Sequence, residues 1–330
     1  MNTFGRLFRV NIFGESHGES VGVNIDGCPA GLSLPPEDFL PDLERRKGGM
    51  QKGTTPRKED DLPIFKSGLF NNISTGSPIT ILFENNNTRS GDYEKQRAVP
   101  RPGHADFVAH KKFGGFEDYR GGGPFSARLT VGLVAAGVIA KKMLDTARVS
   151  STILEIGGES DLDKGLQKAI DAKDSIGGII ECRVSGLPVG LGEPFWDSVE
   201  SLIAHAIYAI PAVRGVEFGT GFAAARMFGS EHNDAIEDME GHTRTNHAGG
   251  VVGGITNGNE LVFRLAIKPT SSTPKEQQTL NWETEQQERF SVKGRHDLCV
   301  ALRAPVIVEA VTAIVLADLL LLEQRVARVI

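Results

Sequence analysis

Residues 101–128 carry side chains that can bind an anion and move a proton. The segment reads RPGHADFVAHKKFGGFEDYRGGGPFSAR. Arg101, Arg120 and Arg128 present permanently charged planar forks that match phosphate or carboxylate oxygens. Histidine is the side chain that exchanges a proton near neutral pH, and His104 stands three residues after Arg101. Together these residue types predict a site at which an anionic ligand gains or loses a proton.

The glycines at 121–123 allow a backbone to approach a ligand closely, because glycine adopts conformations closed to other residues. After Ser126, apolar residues at i, i+3 and i+4 spacing predict a helix that runs to about Ala147. The triplet then precedes a helix N-terminus, which favours anions. A turn without any ligand is the alternative interpretation. The segment is not a P-loop, since no Gly-Lys-Ser/Thr follows, and no strand leads into it as in a dinucleotide-binding fingerprint.

Arg128 falls in the first turn of this predicted helix. A cation there opposes the helix dipole, at a cost of about 0.3–1 kcal/mol. We therefore expect that replacing Arg128 leaves the stability of the ligand-free protein unchanged or slightly higher. The same replacement is expected to weaken the binding of an anionic substrate.

A second histidine lies in a glycine-flanked turn after the first predicted strand, in the motif Gly14-Glu15-Ser16-His17-Gly18. Neighbouring side chains on an extended segment point to opposite faces, so Ser16 and His17 do not form a catalytic dyad. We interpret His17 as a proton donor or an anion ligand. A surface turn histidine without function is the alternative.

Two further segments have the composition of ligand-binding loops. Residues 44–58 (ERRKGGMQKGTTPRK) combine six basic side chains with glycines and threonines, which indicates a mobile loop that binds an acidic ligand. A solvated basic loop is equally consistent with this charge run. Residues 268–273 (KPTSST) place a lysine beside hydroxyl groups that can bind phosphate or flavin oxygens, although a polar turn would look the same.

The composition excludes several classes of protein. The net charge of −6 argues against general nucleic-acid binding. Cys28, Cys182 and Cys299 are scattered without CxxC spacing, so we expect no metal site, no disulfide framework and a reducing cytoplasmic environment. The first residues, MNTFGRLFRV, lack the apolar core of a signal peptide.

A long apolar segment, residues 304–322, has about the length of a membrane span. Glu309 and Asp318 lie within it and would be costly in lipid. We therefore predict a helix buried in the core or in a subunit interface.

Periodicity predicts a chain of short strands and amphipathic helices. The strands fall at residues 6–13, 21–25, 62–70, 77–84, 177–185, 216–218 and 261–267, and the further helices at 37–46, 162–170 and 199–210. No repeat, linker or change of composition marks a domain boundary. We predict one α+β domain over residues 1–330.

Eight motifs place the chain beside a known family. They are GESHG (14–18), RPGHAD (101–106), DYRGGG (118–123), SAR (126–128), NHAGG (246–250), GGITNG (253–258), KPTSS (268–272) and GRHD (294–297). In this order and spacing they resemble the chorismate synthase family across essentially the whole chain. A single motif would be weak support, whereas eight in register are specific.

The resemblance implies a fold and a reaction. The fold would be a β-α-β sandwich with helices packed between antiparallel sheets, assembled as a cytoplasmic homotetramer. The reaction would be the 1,4-anti elimination of phosphate from 5-enolpyruvylshikimate 3-phosphate, a lyase reaction that gives chorismate and is the last common step of the shikimate pathway. Reduced FMN would be required without net redox change, and NADPH is a candidate reductant.

The resemblance also implies residue roles. His17 would protonate the departing phosphate, His104 would protonate the flavin near N1, and Asp297 would lie near flavin N5 and assist removal of the C6 proton. Substrate anions would be bound by basic side chains: Arg46, Lys52, Arg101, Arg120 and Arg128. Arg46 and Lys52 also match positions assigned to NADP. The flavin would be held by Pro124, Phe125, Ser126, Pro211, Ala212, Gly253, Lys268, Pro269, Thr270, Ser271, Ser272 and Arg295.

The chain departs from the family pattern in three places. Many members have GGGRSSAR where this chain reads GGGPFSAR, so the flavin contact there depends on Ser126 and on backbone groups, and Pro124 offers no N–H. Lys52 replaces an arginine with a point charge. The region after Ala147 is shorter than in many relatives.

Two other functions are consistent with the basic residues. A non-catalytic protein that binds a phosphorylated ligand or RNA would use the loop 44–58, but it leaves His17, His104 and Asp297 unexplained. A flavin reductase that uses NADPH is the other. Phosphate release from the enolpyruvyl substrate with chemically reduced FMN would separate the three.

Overall fold

The computed structural model describes residues 2–49, 52–55, 57, 59–87, 97–292 and 296–325. The side chains of residues 324 and 325 are excepted. The strands in chain order are β1 Thr3–Phe4, β2 Arg9–Gly14, β3 Ser20–Asp26, β4 Ile64–Ser67, β5 Leu69–Phe70, β6 Ile73–Ser74, β7 Ile79–Glu84, β8 Arg148–Ile156, β9 Gly178–Ser185, β10 Val213–Phe218, β11 Val251–Val252, β12 Ile255–Thr256, β13 Leu261–Ile267, β14 Gln277–Asn281 and β15 Gln286–Phe290. The helices are α1 Leu40–Arg46, α2 Asp106–Phe113, α3 Thr130–Met143, α4 Leu162–Ala172, α5 Val199–Ile207, α6 Gly229–His232 and α7 Pro305–Arg325.

Two antiparallel sheets form the outer layers. One has the strand order β1-β2-β3-β7-β4 and the other β10-β13-β9-β8. Their inner faces follow from alternating β-branched and aromatic residues, which favour strands with one buried face. Val23 lies opposite Ile81, and Ile25 opposite Ile79, and all four side chains are buried. This pairing fixes the register, because a slip of one residue would turn them to solvent.

Helices α3 and α7 fill the space between the sheets. Helix α3 packs on β3 and β7, helix α7 packs on β8 and β9, and the two helices pack on each other. Gly137 permits their close approach, since a Cβ atom there would lie 2.3 Å from that of Ala310. The predicted α+β sandwich, with helices between antiparallel sheets, is confirmed.

The acidic residues of α7 are buried and bound within the protein. Glu309 accepts hydrogen bonds from both terminal nitrogens of Arg45, at 2.7 Å each, and from Lys141 Nζ at 3.0 Å. Asp318 accepts the backbone N–H groups of residues 6–8 at 2.7–3.0 Å. Buried carboxylates need such partners. Helix α7 is apolar and long enough to cross a membrane, but 78% of its most apolar window is buried in the protein, as predicted for a core helix.

Candidate active site

A cavity of about 610 Å³ collects residues that the sequence separates by more than 250 positions. Fourteen of the predicted site residues line it: Arg46, Arg101, His104, Phe125, Ser126, Arg128, Pro211, Ala212, Lys268, Pro269, Thr270, Ser271, Ser272 and Asp297. Basic side chains outnumber carboxylates in this lining. The cavity therefore suits an anionic ligand of small-molecule size.

One wall is built on a buried carboxylate, Asp61, which two arginines share. Arg46 Nη2 donates to Asp61 Oδ2 at 2.7 Å, and Arg128 Nη1 donates to Asp61 Oδ1. Burial opposes ionisation of Asp61, but the two guanidinium groups outweigh it and lower the pKa of this carboxyl group. Asp61 also has a φ of 50°, a conformation uncommon outside glycine. The cluster carries one residual positive charge towards the cavity.

Arg128 is held by more than Asp61, which corrects the expectation drawn from its place in the helix. Its Nε donates to Asn85 Oδ1 at 2.8 Å and its Nη2 to the Glu84 carbonyl at 3.0 Å, and the side chain is 3% exposed. The first turn is a 3₁₀ turn, Ala127–Leu129, in which Ser126 Oγ accepts the N–H of Arg128. Because a buried ion pair outweighs a dipole at a helix end, removal of Arg128 is expected to destabilise the protein.

His104 lies beside a paired arginine and aspartate. Arg101 donates from Nε and Nη2 to the two oxygens of Asp106, at 2.7 Å each. Burial would raise the pKa of Asp106, but hydrogen bonds from Arg101 and His104 outweigh it and hold that pKa far below its usual range. His104 Nδ1 lies 3.3 Å from both Arg101 Nη2 and Asp106 Oδ1. This pair sets the orientation of the His104 ring, and Nε2 lies on the opposite side of the ring from it.

The glycine triplet separates the two histidines. All three glycines have positive φ, between 50° and 88°. A Cβ atom on Gly121 would lie 2.5 Å from His17 Nε2, and one on Gly122 would lie 3.1 Å from His104 Cε1. Glycine is needed here so that the loop fits between the rings. Burial, Arg57 and Arg120 lower the pKa of His17, so the ligand-free protein favours the neutral imidazole.

Asp297 lies in the cavity lining and is held there by a backbone N–H group and by an arginine. Its Oδ1 accepts the N–H of Thr55 at 2.8 Å. Arg303 Nη1 donates to Oδ2 at 3.0 Å and to Oδ1 at 3.2 Å. The neighbouring His296 is half-buried, and burial, Arg101 and His104 lower its pKa to about 4. His296 is thus neutral at pH 7.

A second wall is formed by the segment after β13 and by β10. Lys268 Nζ donates to the Gly103 carbonyl at 2.8 Å and to Ser271 Oγ at 2.7 Å. Arg214, on β10, is exposed at this wall and forms no ion pair with the residues that the structure describes. Burial and the nearby Arg214 lower the pKa of Lys268. Neither of these two cations forms an ion pair with a carboxylate in the part of the chain that the structure describes.

Some predicted residues lie outside the cavity lining. His17 lies behind Gly121, and Pro124 faces two neighbouring cavities. Arg120 is paired with Asp118 at 2.8 Å, Lys52 Nζ donates to Gln167 Oε1 at 3.2 Å, and Gly253 lies in the turn between β11 and β12. Arg295 lies outside the described residues.

The sequence did not single out Asp61, Arg214 or Arg303 as site residues. Asp61 is an acidic residue just after the basic loop, and its neighbour Glu59 pairs with Arg57 at 2.5 Å. Arg214 follows Pro211 and Ala212 on the same segment, and Arg303 follows Asp297 by six positions. For each of these three residues, the available signal was its closeness in the sequence to the basic loop or to a predicted site residue.

The fold is a mixed α+β sandwich, and its cationic cavity also holds a histidine and a fixed carboxylate. This combination is typical of an enzyme that acts on an anionic small molecule. Residues 8–321 match the family model described as chorismate synthase. The chain is 72% identical over 330 residues to the chorismate synthase of Chitinophaga pinensis, covering 100% of this chain and 99% of that protein. It is 44% identical over 360 aligned residues to that of Dehalococcoides mccartyi, covering 100% and 99%.

A crystal structure of a chorismate synthase has the same fold, with a TM-score of 0.74 at 28% identity, over 97% of this chain and 93% of that chain. This chain belongs to the chorismate synthase family. Membership places it among enzymes with a small-molecule substrate.

Proposed function

We propose that this chain is a lyase that eliminates phosphate from 5-enolpyruvylshikimate 3-phosphate to give chorismate, the last common step of the shikimate pathway, with reduced FMN present. One observation carries the proposal: a single cavity is lined by His104, Asp297, two clustered arginines and the 268–272 segment. Neither a binding protein nor a flavin reductase requires this combination around one ligand.

The substrate has one phosphate and two carboxylates, so its binding needs several cations. Arg46 and Arg128 share one carboxylate and retain a net positive charge. Arg101 and Arg120 are each paired with an aspartate that balances their charge. They would therefore act on the substrate mainly through the dipole of the ion pair and through hydrogen bonds. Each charge-assisted hydrogen bond contributes about 1.5–3 kcal/mol.

Elimination removes phosphate from C3 and a proton from C6, which forms the second ring double bond of chorismate. His17 would give its proton to a phosphate oxygen as the C–O bond breaks. Burial, Arg57 and Arg120 lower the pKa of His17 in the free protein, and an incoming phosphate dianion would offset the two cations. Substrate binding would thus favour the protonated form of His17, which is the acid that the reaction uses.

Asp297 would accept or relay the C6 proton. Its carboxylate is oriented by the Thr55 N–H and by Arg303. It lines the same cavity as Arg46 and Arg128, the arginines proposed to bind the substrate anions.

The residues of the second wall fit a flavin phosphate and polar ring edge. Thr270 Oγ1 and His296 Nε2 are buried atoms without a hydrogen-bond partner among the described residues, as expected for groups that bind a polar ligand. Lys268, Ser271 and Ser272 would hold the cofactor, with Arg214 as an additional cation. Bound reduced FMN would supply electron density that lowers the barrier to C–O cleavage. His104 would hold a proton at Nε2 near the flavin ring.

NADPH is the proposed source of reducing equivalents, used directly or through an external reductase. Of the two positions that match NADP contacts, Lys52 is exposed, whereas Arg46 is buried. We propose a cytoplasmic homotetramer. Its support is a set of exposed large apolar side chains, which mark interaction surfaces: Phe195, Trp196, Phe222, Phe228, Ile236 and Met239.

Anaerobic turnover with chemically reduced FMN tests the proposal. The expected products are chorismate and phosphate in equal amounts. His17→Ala is expected to lower kcat by about 10²–10⁴, the range for loss of a general acid, while the exposed His242→Ala serves as a control with unchanged kcat. Absence of phosphate release would reject the function. Adding NADPH and oxidised FMN instead shows whether the chain reduces its own flavin.

A further inference from the structure

Arg303 contacts two parts of the site, the Asp297 carboxylate and the Arg46 backbone carbonyl, from one half-buried side chain. It follows the short 3₁₀ turn Val300–Leu302 and precedes α7. Its Nη1 donates to both oxygens of Asp297, and its Nε donates to the carbonyl of Arg46 at 2.8 Å. The side chain is 16% exposed.

The second contact matters because Arg46 is the last residue of α1. The final carbonyls of a helix lack donors from within the helix, so Arg303 supplies one. The same residue, Arg46, directs its own guanidinium to Asp61. Through one planar group, Arg303 therefore connects the segment that carries Asp297 with the end of the helix that carries the anion-binding arginine.

We propose that Arg303 is a positioning residue that fixes the Asp297 carboxylate relative to Arg46, so that proton removal and anion binding act on one correctly placed substrate. The inference rests on the proposed role of Asp297. Lysine cannot replace it, since its single ammonium nitrogen lacks the planar guanidinium group that donates to Asp297 from one nitrogen and to Arg46 from another. The guanidinium itself acts through Asp297 and Arg46.

A purely structural ion pair is the competing explanation, and a double-mutant cycle distinguishes the two. The variants are Arg303→Met, Asp297→Asn and the combination, with Arg303→Lys as the conservative change. Turnover is measured with reduced FMN and 5-enolpyruvylshikimate 3-phosphate, and the Tm of the free protein is measured in parallel. Arg289→Met, at an exposed pair with Glu276, is the control with unchanged activity and Tm.

We expect Arg303→Met to lower kcat by about 10²-fold, the effect of a displacement of about 1 Å at a reacting group. In the Asp297→Asn background the same change should lower kcat by less than about threefold, because the group that Arg303 positions is already absent. Arg303→Lys should keep Tm closer to wild type than Arg303→Met but still lose kcat. The Tm of the double variant should exceed that of Arg303→Met, since an unpaired buried charge is removed.

Three results would overturn the inference. The first is equal fold-losses from Arg303→Met in both backgrounds. The second is full kcat in Arg303→Lys with wild-type Tm. The third is a kcat of Arg303→Met that equals that of the Arg289→Met control. A wild-type chain that forms no chorismate would instead reject the proposed function, and the inference with it.

Discussion

The cavity has two basic walls whose charges are balanced differently. Arg46 and Arg128 are buried and share Asp61. By contrast, Lys268 donates to two neutral acceptors, and Arg214 is exposed and forms no ion pair with the described residues. A buried cation requires a counter-charge for folding. A cation that water reaches does not. The comparison indicates that the charges of the first wall are balanced within the protein and contribute to its stability, while no carboxylate of the described residues balances those of the second.

The largest expected effect tests the structural half of this comparison. Arg128→Ala leaves Asp61 with one partner fewer in a buried site, so the free energy of unfolding should fall by about 3–5 kcal/mol. Arg120→Ala removes a partly exposed pair with Asp118, and its effect should stay within about 1 kcal/mol. Urea unfolding followed by circular dichroism measures both. Equal losses would contradict the distinction between buried and exposed arginines.

The glycine between the histidines gives the next effect. Gly121→Ala should displace His17, because the new Cβ would overlap its ring, and we expect kcat to fall by about 10²-fold. Gly158→Ala is the matched control: its φ is also positive, at 79°, but no atom lies within 4 Å of the added Cβ. This control measures only the effect of placing an alanine at a backbone position with positive φ. A similar loss of kcat in both variants would show that strain, and not the position of His17, limits turnover.

The second wall should lose ligand affinity without loss of stability. Arg214→Gln and Lys268→Gln are each expected to weaken FMN binding by about 10- to 100-fold, from charge-assisted hydrogen bonds of about 1.5–3 kcal/mol. Their unfolding free energies should be unchanged. Lys52→Gln, at a residue outside the cavity lining, is the comparison for a lost positive charge. Fluorescence titration gives the affinities, and an equal loss in Lys52→Gln would indicate a long-range charge effect.

The smallest effect concerns pH. The protonated form of an acid disappears as pH rises through its pKa, and burial with Arg57 and Arg120 lowers the pKa of His17 in the free enzyme. The alkaline limb of kcat/KM reports the free enzyme, and that of kcat reports the substrate complex. We expect the limb of kcat to lie at higher pH than that of kcat/KM, because bound phosphate favours the imidazolium. Coincident limbs, or limbs unchanged in His17→Ala, would reject His17 as the acid.

Regular elements with clear periodicity were predictable from the sequence. The predicted helix after the glycine triplet is α3, and the predicted strand at residues 261–267 is β13. Helix α2 was not predicted, because it has no apolar stripe: Ala109 is buried, while Phe107, Val108 and Phe113 are exposed. Its place is set by contacts such as the stacking of His110 on Trp282 of the β14–β15 turn, with ring centroids 4.7 Å apart. Contacts between residues that are distant in the sequence produce no hydrophobic periodicity in the segment itself.

The sequence by itself determined the family, the fold class and most of the segments that line the basic cavity, because motifs and hydrophobic periods are local properties of the chain. Only the tertiary structure decided how each charge is used. Arg128 looked like an open cation at a helix start, yet it is buried against Asp61, which lies 67 residues away. Lys268 was predicted as a flavin contact and Arg214 was not predicted, yet both lie at the cavity without an ion pair to any carboxylate of the described residues. Charge balance depends on distances in space, and those are fixed only when the sheets and helices have packed.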